Sequence, residues 1–152
     1  MELKSTKKIE IDGSKLKIAI VLPYFNDKIG VELFLNAKEE LEKNGVKERN
    51  ITLIRVAGAL EIPFACQKIA LRKKTDAIIA LGVIIRGETS HYDLVCRNTY
   101  EGIMKVQLEN KIPISFGVLT CENEKQAKKR ASKNGLNKGK DAAKAVLIQT
   151  SI

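Results

Sequence analysis

Four short apolar runs, each followed by a segment of helical periodicity, constrain this chain more than any other feature in it. LKIAIVLPYF (16–25), ITLIRVAG (51–58), DAIIALGVII (76–85) and IPISFGVLT (112–120) are β-rich and of strand length. Runs that are apolar on both sides of the pleat belong in a sheet covered on both faces, which favours parallel strands. Residues 30–44, 62–74 and 92–110 carry their apolar side chains at helical spacing. Asn44-Gly45 ends the first of these helices, and Pro63 sits in the first turn of the second. Asn123 with Gln126 forms a capping-box pattern for a further helix, GLNKG (135–139) interrupts it, and a last helix covers 140–148.

Strands alternating with helices predict an α/β, three-layer sandwich: a four-stranded parallel sheet flanked by helices. With 152 residues and no repeat or linker, residues 1–152 are expected to form one domain. Such a chain buries about 68–70% of its unfolded surface and needs no metal or disulfide to hold its core. Residues 1–15 form an extended lead, in which KKIEI (7–11) alternates like an edge strand, for this sheet or for a neighbouring subunit's.

The net charge of +9 suits anionic partners, from phosphate esters to nucleic acid or a membrane surface. Between Glu124 and Lys144 there are eight Lys or Arg against two acids, a pattern that a solvated helix face also produces. Three Tyr, four Phe and no Trp argue against an aromatic nucleic-acid platform. Cys66, Cys96 and Cys121 are widely spaced, without CxxC or a Cys/His cluster, so no metal site is expected and the thiols read as reduced. The first residues lack the apolar core of a signal peptide, and nothing approaches the roughly 20 apolar residues of a membrane span. The expected location is the cytoplasm, with no membrane partner.

In open parallel sheets, ligands bind beyond the carboxyl ends of the strands. There this sequence supplies Phe25, Asn26 and Asp27 after the first strand, and Gly58, Ala59, Leu60 and Glu61 after the second. The third strand is followed by Arg86 through His91, and the fourth by Thr120, Cys121 and Glu122. Gly87 lets the chain turn sharply, and Ser90-His-Tyr-Asp93 matches the S-x-x-D capping box of a helix start. Open amides and the positive dipole end at that start favour a phosphate. The same end disfavours imidazolium at His91, the only histidine, so a near-neutral ring could take up and return protons. A merely exposed or structurally satisfied histidine is the alternative. Glu61 could bind sugar hydroxyls or cap a helix, and Phe25 could be core or a stacking platform. Arg130 and Lys138 are candidates for anion contact, undistinguished by spacing from their basic neighbours. A His91–Cys96 nucleophilic pair is excluded, because five helical positions turn the two side chains about 140° apart.

GALEIP (58–63), GVIIRGETSHYD (82–93), PISFGVLT (113–120), NEKQAKKRA (123–131) and NKG (137–139) resemble lumazine synthases, with similarity from about Leu16 to Ile148. The resemblance implies condensation of 5-amino-6-ribitylamino-uracil with 3,4-dihydroxy-2-butanone 4-phosphate to 6,7-dimethyl-8-ribityllumazine and inorganic phosphate, without metal or organic cofactor. By motif, Phe25 would stack on the pyrimidine, Ala59 and Glu61 would meet the ribityl chain, and Leu60 would lie beside the substrate. The backbone of Val83, Ile84 and Ile85 would bond the pyrimidine edge, Gly87, Glu88 and Thr89 would cradle phosphate, and His91 would carry protons. Phe116 and Arg130 match residues that the family supplies from the adjacent subunit, Arg130 to the phosphate, and Lys138 matches a lysine close to the site. A homo-oligomer with shared sites follows.

Four positions depart from the family's pattern. Tyr24 stands where arginine is usual, Ala57 where proline is, Leu60 where an aromatic is, and Glu88 where the residue is often small. Leu60 removes a flat surface beside the substrate, and Glu88 brings a negative charge towards an anion site. Such proteins assemble as pentamers, and many as shells of twelve pentamers that could enclose a partner such as riboflavin synthase. Nothing is inserted near GLNKG, where free pentamers tend to carry extra residues, so a sixty-subunit shell is expected with the pentamer as alternative. Two rivals remain: a nucleic-acid or anion-binding module without catalysis, and a shell-forming member with degraded catalysis.

Overall fold

A computed structural model of the chain describes residues 10–152. The strands are β1 (Ile18–Pro23), β2 (Ile51–Val56), β3 (Ala77–Ile85) and β4 (Ile114–Cys121). The helices are α1 (Asp27–Lys43), α2 (Ile62–Leu71), α3 (His91–Asn110), α4 (Glu124–Ala131) and α5 (Lys138–Thr150), with short 3-10 turns at Glu48–Asn50 and Ala59–Glu61. All strand pairs are parallel, in the order β2-β1-β3-β4. This is the expected three-layer α/β sandwich. The proposed edge strand at 7–11 lies largely outside the described residues.

Side-chain alternation explains the layering. Ile18, Ile20 and Leu22 of β1 face a core shared with α1, α4 and α5, including Leu33, Ala37, Ala127, Ala143 and Val146. Ala19 and Val21, one position out of phase, face α2 and α3 through Ile62, Cys66, Ile69, Ile103 and Val106. Burial on both faces is why β1, β3 and most of β4 read as apolar runs, whereas β2, at the sheet edge, has no fully buried residue. Each fully buried Leu or Ile contributes roughly 1.5–3 kcal/mol.

Local signals set the helix ends. After Asn44, Gly45 adopts a positive φ of 91°. Its amide donates to the Glu42 carbonyl at 3.0 Å, while the Val46 amide donates to the Leu41 carbonyl at 3.1 Å, a Schellman closure sealed by buried Leu41 and Val46. The Asn123 side chain accepts from the Gln126 amide at 2.9 Å, and the Gln126 side chain accepts from the Glu122 amide at 2.8 Å. Two boundaries differ from expectation. α1 begins at Asp27 rather than residue 30, because Asn26 takes a left-handed conformation with φ 57° and turns the chain directly off β1. α5 begins at Lys138 rather than residue 140, because Asn137 is also left-handed and its side chain accepts from the Lys140 amide at 3.2 Å.

The chain runs from β1 outward to β2, then returns past β1 to β3. That reversal between β1 and β3 is where a doubly wound sheet opens a crevice at its carboxyl ends.

Candidate active site

A cavity of about 430 Å³ occupies that crevice. Its wall includes Phe25 and Asn26 after β1, and Gly58, Ala59, Leu60 and Glu61 after β2. Val83, Ile84, Ile85, Gly87, Thr89, His91, Tyr92 and Val95 complete it from β3 and the start of α3. The size falls within the range of small-molecule sites.

Phe25 is 73% exposed, so it is not core; nothing in the fold needs its ring. It is presented at the rim because β1 ends at Pro23, and the Tyr24 and Phe25 amides continue onto the Val56 and Ala57 carbonyls at 2.8 and 3.3 Å. Arg55 of β2 anchors this turn: its Nε donates to the Leu22 carbonyl at 3.1 Å and Nη2 to the Pro23 carbonyl at 3.2 Å. It also pairs with Asp27, and its guanidinium lies 4.2 Å over the Tyr24 ring. A cation thus stands beside the aromatic that replaces the expected arginine. Asn26 donates from Nδ2 to the Val83 carbonyl at 2.9 Å, tying the β1 and β3 rims together.

Glu61 caps and also lines the cavity. One carboxylate oxygen accepts from the Gly58 amide at 2.8 Å, closing the 3-10 turn, while the residue faces the crevice. A Cβ on Gly58 would meet that same oxygen at 3.1 Å. Leu60 is 46% exposed at the rim.

The turn after β3 is built around Arg86. Its Nε donates to Glu122 at 2.6 Å and Nη2 to the same carboxylate at 3.4 Å. Nη1 and Nη2 reach the two oxygens of Asp93 at 3.4 and 3.5 Å, and the guanidinium lies 4.2 Å over the Tyr92 ring. The hydrogen bonds that Arg86 donates to Glu122, and then to Asp93, push its pKa up despite some desolvation. The S-x-x-D capping box does not form: Ser90 makes no side-chain cap, and Asp93 turns to Arg86 instead. The His91 amide donates to the Thr89 hydroxyl at 3.3 Å. Among the described residues, no acceptor meets the amides of Gly87, Glu88, Thr89 and Ser90. A side chain at Gly87 would project into open space. Glu88 is exposed and is not part of the cavity wall, so its charge lies outside.

Phe116, Arg130 and Lys138 are elsewhere. They line a second cavity of about 620 Å³ along the outer edge of β4, between α3 and α5, which shares no residue with the first. Lys138 pairs with Asp141 at 3.2 Å. Arg130 is half-buried and, among the described residues, makes no ion pair or hydrogen bond. The Phe116 and Tyr100 rings are 5.4 Å apart, and the Tyr100 hydroxyl donates to the Val118 carbonyl at 2.6 Å. The sequence-predicted residues therefore fall into two groups that one chain does not bring together.

Asn26 and Gly58, collected from sequence only as strand-end residues, also line the first cavity, as do Pro23, Tyr92 and Val95, which sequence did not single out. Val95 lies four positions after His91, a helical spacing that could have found it. Burial, then the Cys96 contact, raises the Tyr92 phenol above its ordinary value. Among the described residues, no group of three or more His, Cys, Asp or Glu is arranged to hold a metal, and no helix is long and apolar enough to cross a membrane.

The family described as 6,7-dimethyl-8-ribityllumazine synthase matches residues 15–151. Relatives carrying that name include one from Desulfovibrio desulfuricans, 44% identical over 138 residues, covering 91% of this chain and 88% of the relative. One from Kosmotoga olearia is 47% identical over 140 residues, 92% of this chain and 90% of the relative. One from Chlorobium phaeobacteroides is 44% identical over 150 residues, 97% of each.

Proposed function

The chain belongs to the 6,7-dimethyl-8-ribityllumazine synthase family, an enzyme family of riboflavin biosynthesis, and from that premise we propose its substrates, its proton carrier and a site shared between subunits. The enzyme joins 5-amino-6-(D-ribitylamino)uracil to 3,4-dihydroxy-2-butanone 4-phosphate. The 5-amino nitrogen attacks the ketone and water leaves, forming an imine. A proton leaves the adjacent carbon and inorganic phosphate leaves its neighbour, giving an enol that returns to a ketone. The ribitylamino nitrogen closes on that ketone, and a second water leaves. Atoms and electrons balance without an oxidant.

The observation that carries this reading is the one crevice where an exposed aromatic, a carboxylate, the Gly87–Thr89 turn and the only imidazole converge. Phe25 stacks on the pyrimidine, and the rim of Val83, Ile84 and Ile85 meets its polar edge. Ala59, Leu60 and Glu61 hold the ribityl chain, Glu61 using the carboxylate capacity its cap leaves free. The amides of Gly87, Glu88 and Thr89 receive phosphate, with Glu88 contributing backbone only. His91, at the same turn, moves the protons of imine formation and elimination, while positioning supplies much of the acceleration.

Arg130, half-buried in a separate cavity and with no side-chain partner among the described residues, supports sharing. In the oligomer, the β4 edge of one subunit brings Phe116, Arg130 and Lys138 to the crevice of the next, and Arg130 completes the phosphate site. We extend the reading to a sixty-subunit shell in the cytoplasm; light scattering that finds a pentamer would rule the shell out.

Formation of the fluorescent lumazine from both substrates tests the reading. Wild type should form product, and His91→Ala should turn over roughly 10²–10⁴-fold more slowly without losing all activity. An unchanged rate would remove His91 from the mechanism, and no product from wild type would end the substrate assignment.

A further inference from the structure

Asp93 occupies the position from which a capping-box carboxylate reaches back to the amide of the residue before the helix, here Ser90. It does not do so: Arg86 holds both its oxygens at 3.4 and 3.5 Å, and Ser90 is itself helical, with φ -68° and ψ -2°. The Arg86 guanidinium is itself fixed by the fork to Glu122 and by the Tyr92 ring beneath it. Its backbone amide extends the β3–β4 ladder by donating to the Cys121 carbonyl at 2.9 Å. Exposed ion pairs of this kind contribute little to folding, so stability does not account for the cluster. Its consequence is local: the Thr89 hydroxyl caps the His91 amide, Asp93 caps nothing, and among the described residues the amides of residues 87–90 meet no acceptor, with Gly87 and Thr89 lining the crevice.

We propose that Arg86 is a positioning residue that keeps the phosphate cradle open by drawing Asp93 away from the start of α3. This rests on the lumazine synthase reading for the identity of the anion. Without Arg86, the Asp93 carboxylate is released to accept from the Ser90 amide, as capping boxes do. It then occupies the helix start with a negative charge where phosphate should sit. The loss falls on the phosphate-bearing substrate and on inorganic phosphate, and spares the uracil substrate, which meets the opposite rim. Asp93 is thus the agent of the damage, so removing it should repair the Arg86 defect. Glu122 holds Arg86 but does not compete for the amides, so removing it should not.

The test uses the assembled protein, with gel filtration to establish that each variant retains its oligomer. Steady-state lumazine formation gives KM for each substrate, and calorimetric titration with inorganic phosphate gives Kd without turnover. Arg86→Ala should raise KM for the phosphate substrate and Kd for phosphate by roughly 3- to 30-fold, the range of a helix cap's worth. KM for the uracil substrate should stay within about twofold, well under the factor of ten that 1.4 kcal/mol represents. Arg86→Lys, keeping the charge without the fork, should lie between. Arg86→Ala/Asp93→Ala should recover most of the phosphate affinity, whereas Arg86→Ala/Glu122→Gln, which restores the same net charge, should not. Equal losses for both substrates, no recovery with Asp93→Ala, or equal recovery with Glu122→Gln would overturn the proposal. If Arg86→Ala does not assemble, Arg86→Lys alone and with Asp93→Ala carries the same comparison. Absence of lumazine from wild type would refute the substrate reading separately, because the phosphate titration still reads Arg86.

Discussion

Phe25→Ala separates binding from folding in a single substitution. The ring is 73% exposed and belongs to neither apolar core. Its removal should therefore change folding stability by no more than about 0.5 kcal/mol, as at other surface positions. By contrast, truncating a side chain as buried as Leu33, at 0% exposure, costs about 2–5 kcal/mol. Stacking of a planar base on an aromatic contributes about 1–3 kcal/mol. At about 1.4 kcal/mol per tenfold, KM for the uracil substrate should rise roughly 5- to 150-fold. KM for the phosphate substrate should hardly move, because the proposed phosphate turn at Gly87–Thr89 belongs to a different element from Phe25. Phe25→Tyr should preserve most of the affinity and Phe25→Leu little. Initial rates read from lumazine fluorescence, with each substrate varied in turn, give the two KM values, and urea unfolding gives stability. Equal rises in both KM values, or a stability loss well beyond 0.5 kcal/mol, would refute the stacking argument.

Two further outcomes follow from the core. A Cβ added at Gly139 would lie 2.2 Å from the Leu33 carbonyl oxygen, so Gly139→Ala should force α1 and α5 apart; we expect a urea midpoint lower by the equivalent of about 1–3 kcal/mol. Burial raises the Cys66 thiol from 9.0 to about 12, so the folded chain holds that proton more tightly than the unfolded one. The stability this supplies is complete below pH 9 and is lost as pH climbs towards 12, at up to about 1.4 kcal/mol per pH unit. Urea unfolding between those limits, in reductant, should show a shallower decline for Cys66→Ala; identical slopes would contradict it.

The sheet was legible because β1 and β3 are apolar on both faces and the β-branched runs alternate with helical segments, a rule that also found the half-exposed edge strand β2. Helix ends set by one residue's own chemistry, such as the Asn44-Gly45 closure, were legible too. What sequence concealed was non-local. Ser90 and Asp93 have capping-box spacing, yet Ser90 is helical, Thr89 takes the cap, and Asp93 lies against Arg86, whose guanidinium Glu122, brought alongside by β4, fixes. Tyr24 read as a departure, but parallel pairing of Leu22 with Arg55 brings a guanidinium over its ring. Asn26 carried no signal for its left-handed turn or its bond to Val83, both of which need β3 in place. The separation of Phe116, Arg130 and Lys138 from the first crevice reflects β4 being the outer strand, an ordering that sequence spacing does not contain.

The proposed site shared between subunits is tested most directly by mixing two damaged chains. One carries Phe25→Ala and His91→Ala in the crevice, and the other carries Arg130→Ala at the β4 edge. After co-refolding in equal amounts, random assembly should give roughly a quarter of the crevices both halves intact, one from each of two neighbours. Lumazine formation should then rise to roughly a quarter of the wild-type rate, well above the mean of the two parents. A mixture no more active than that mean would mean that each chain completes its own site, contradicting the account.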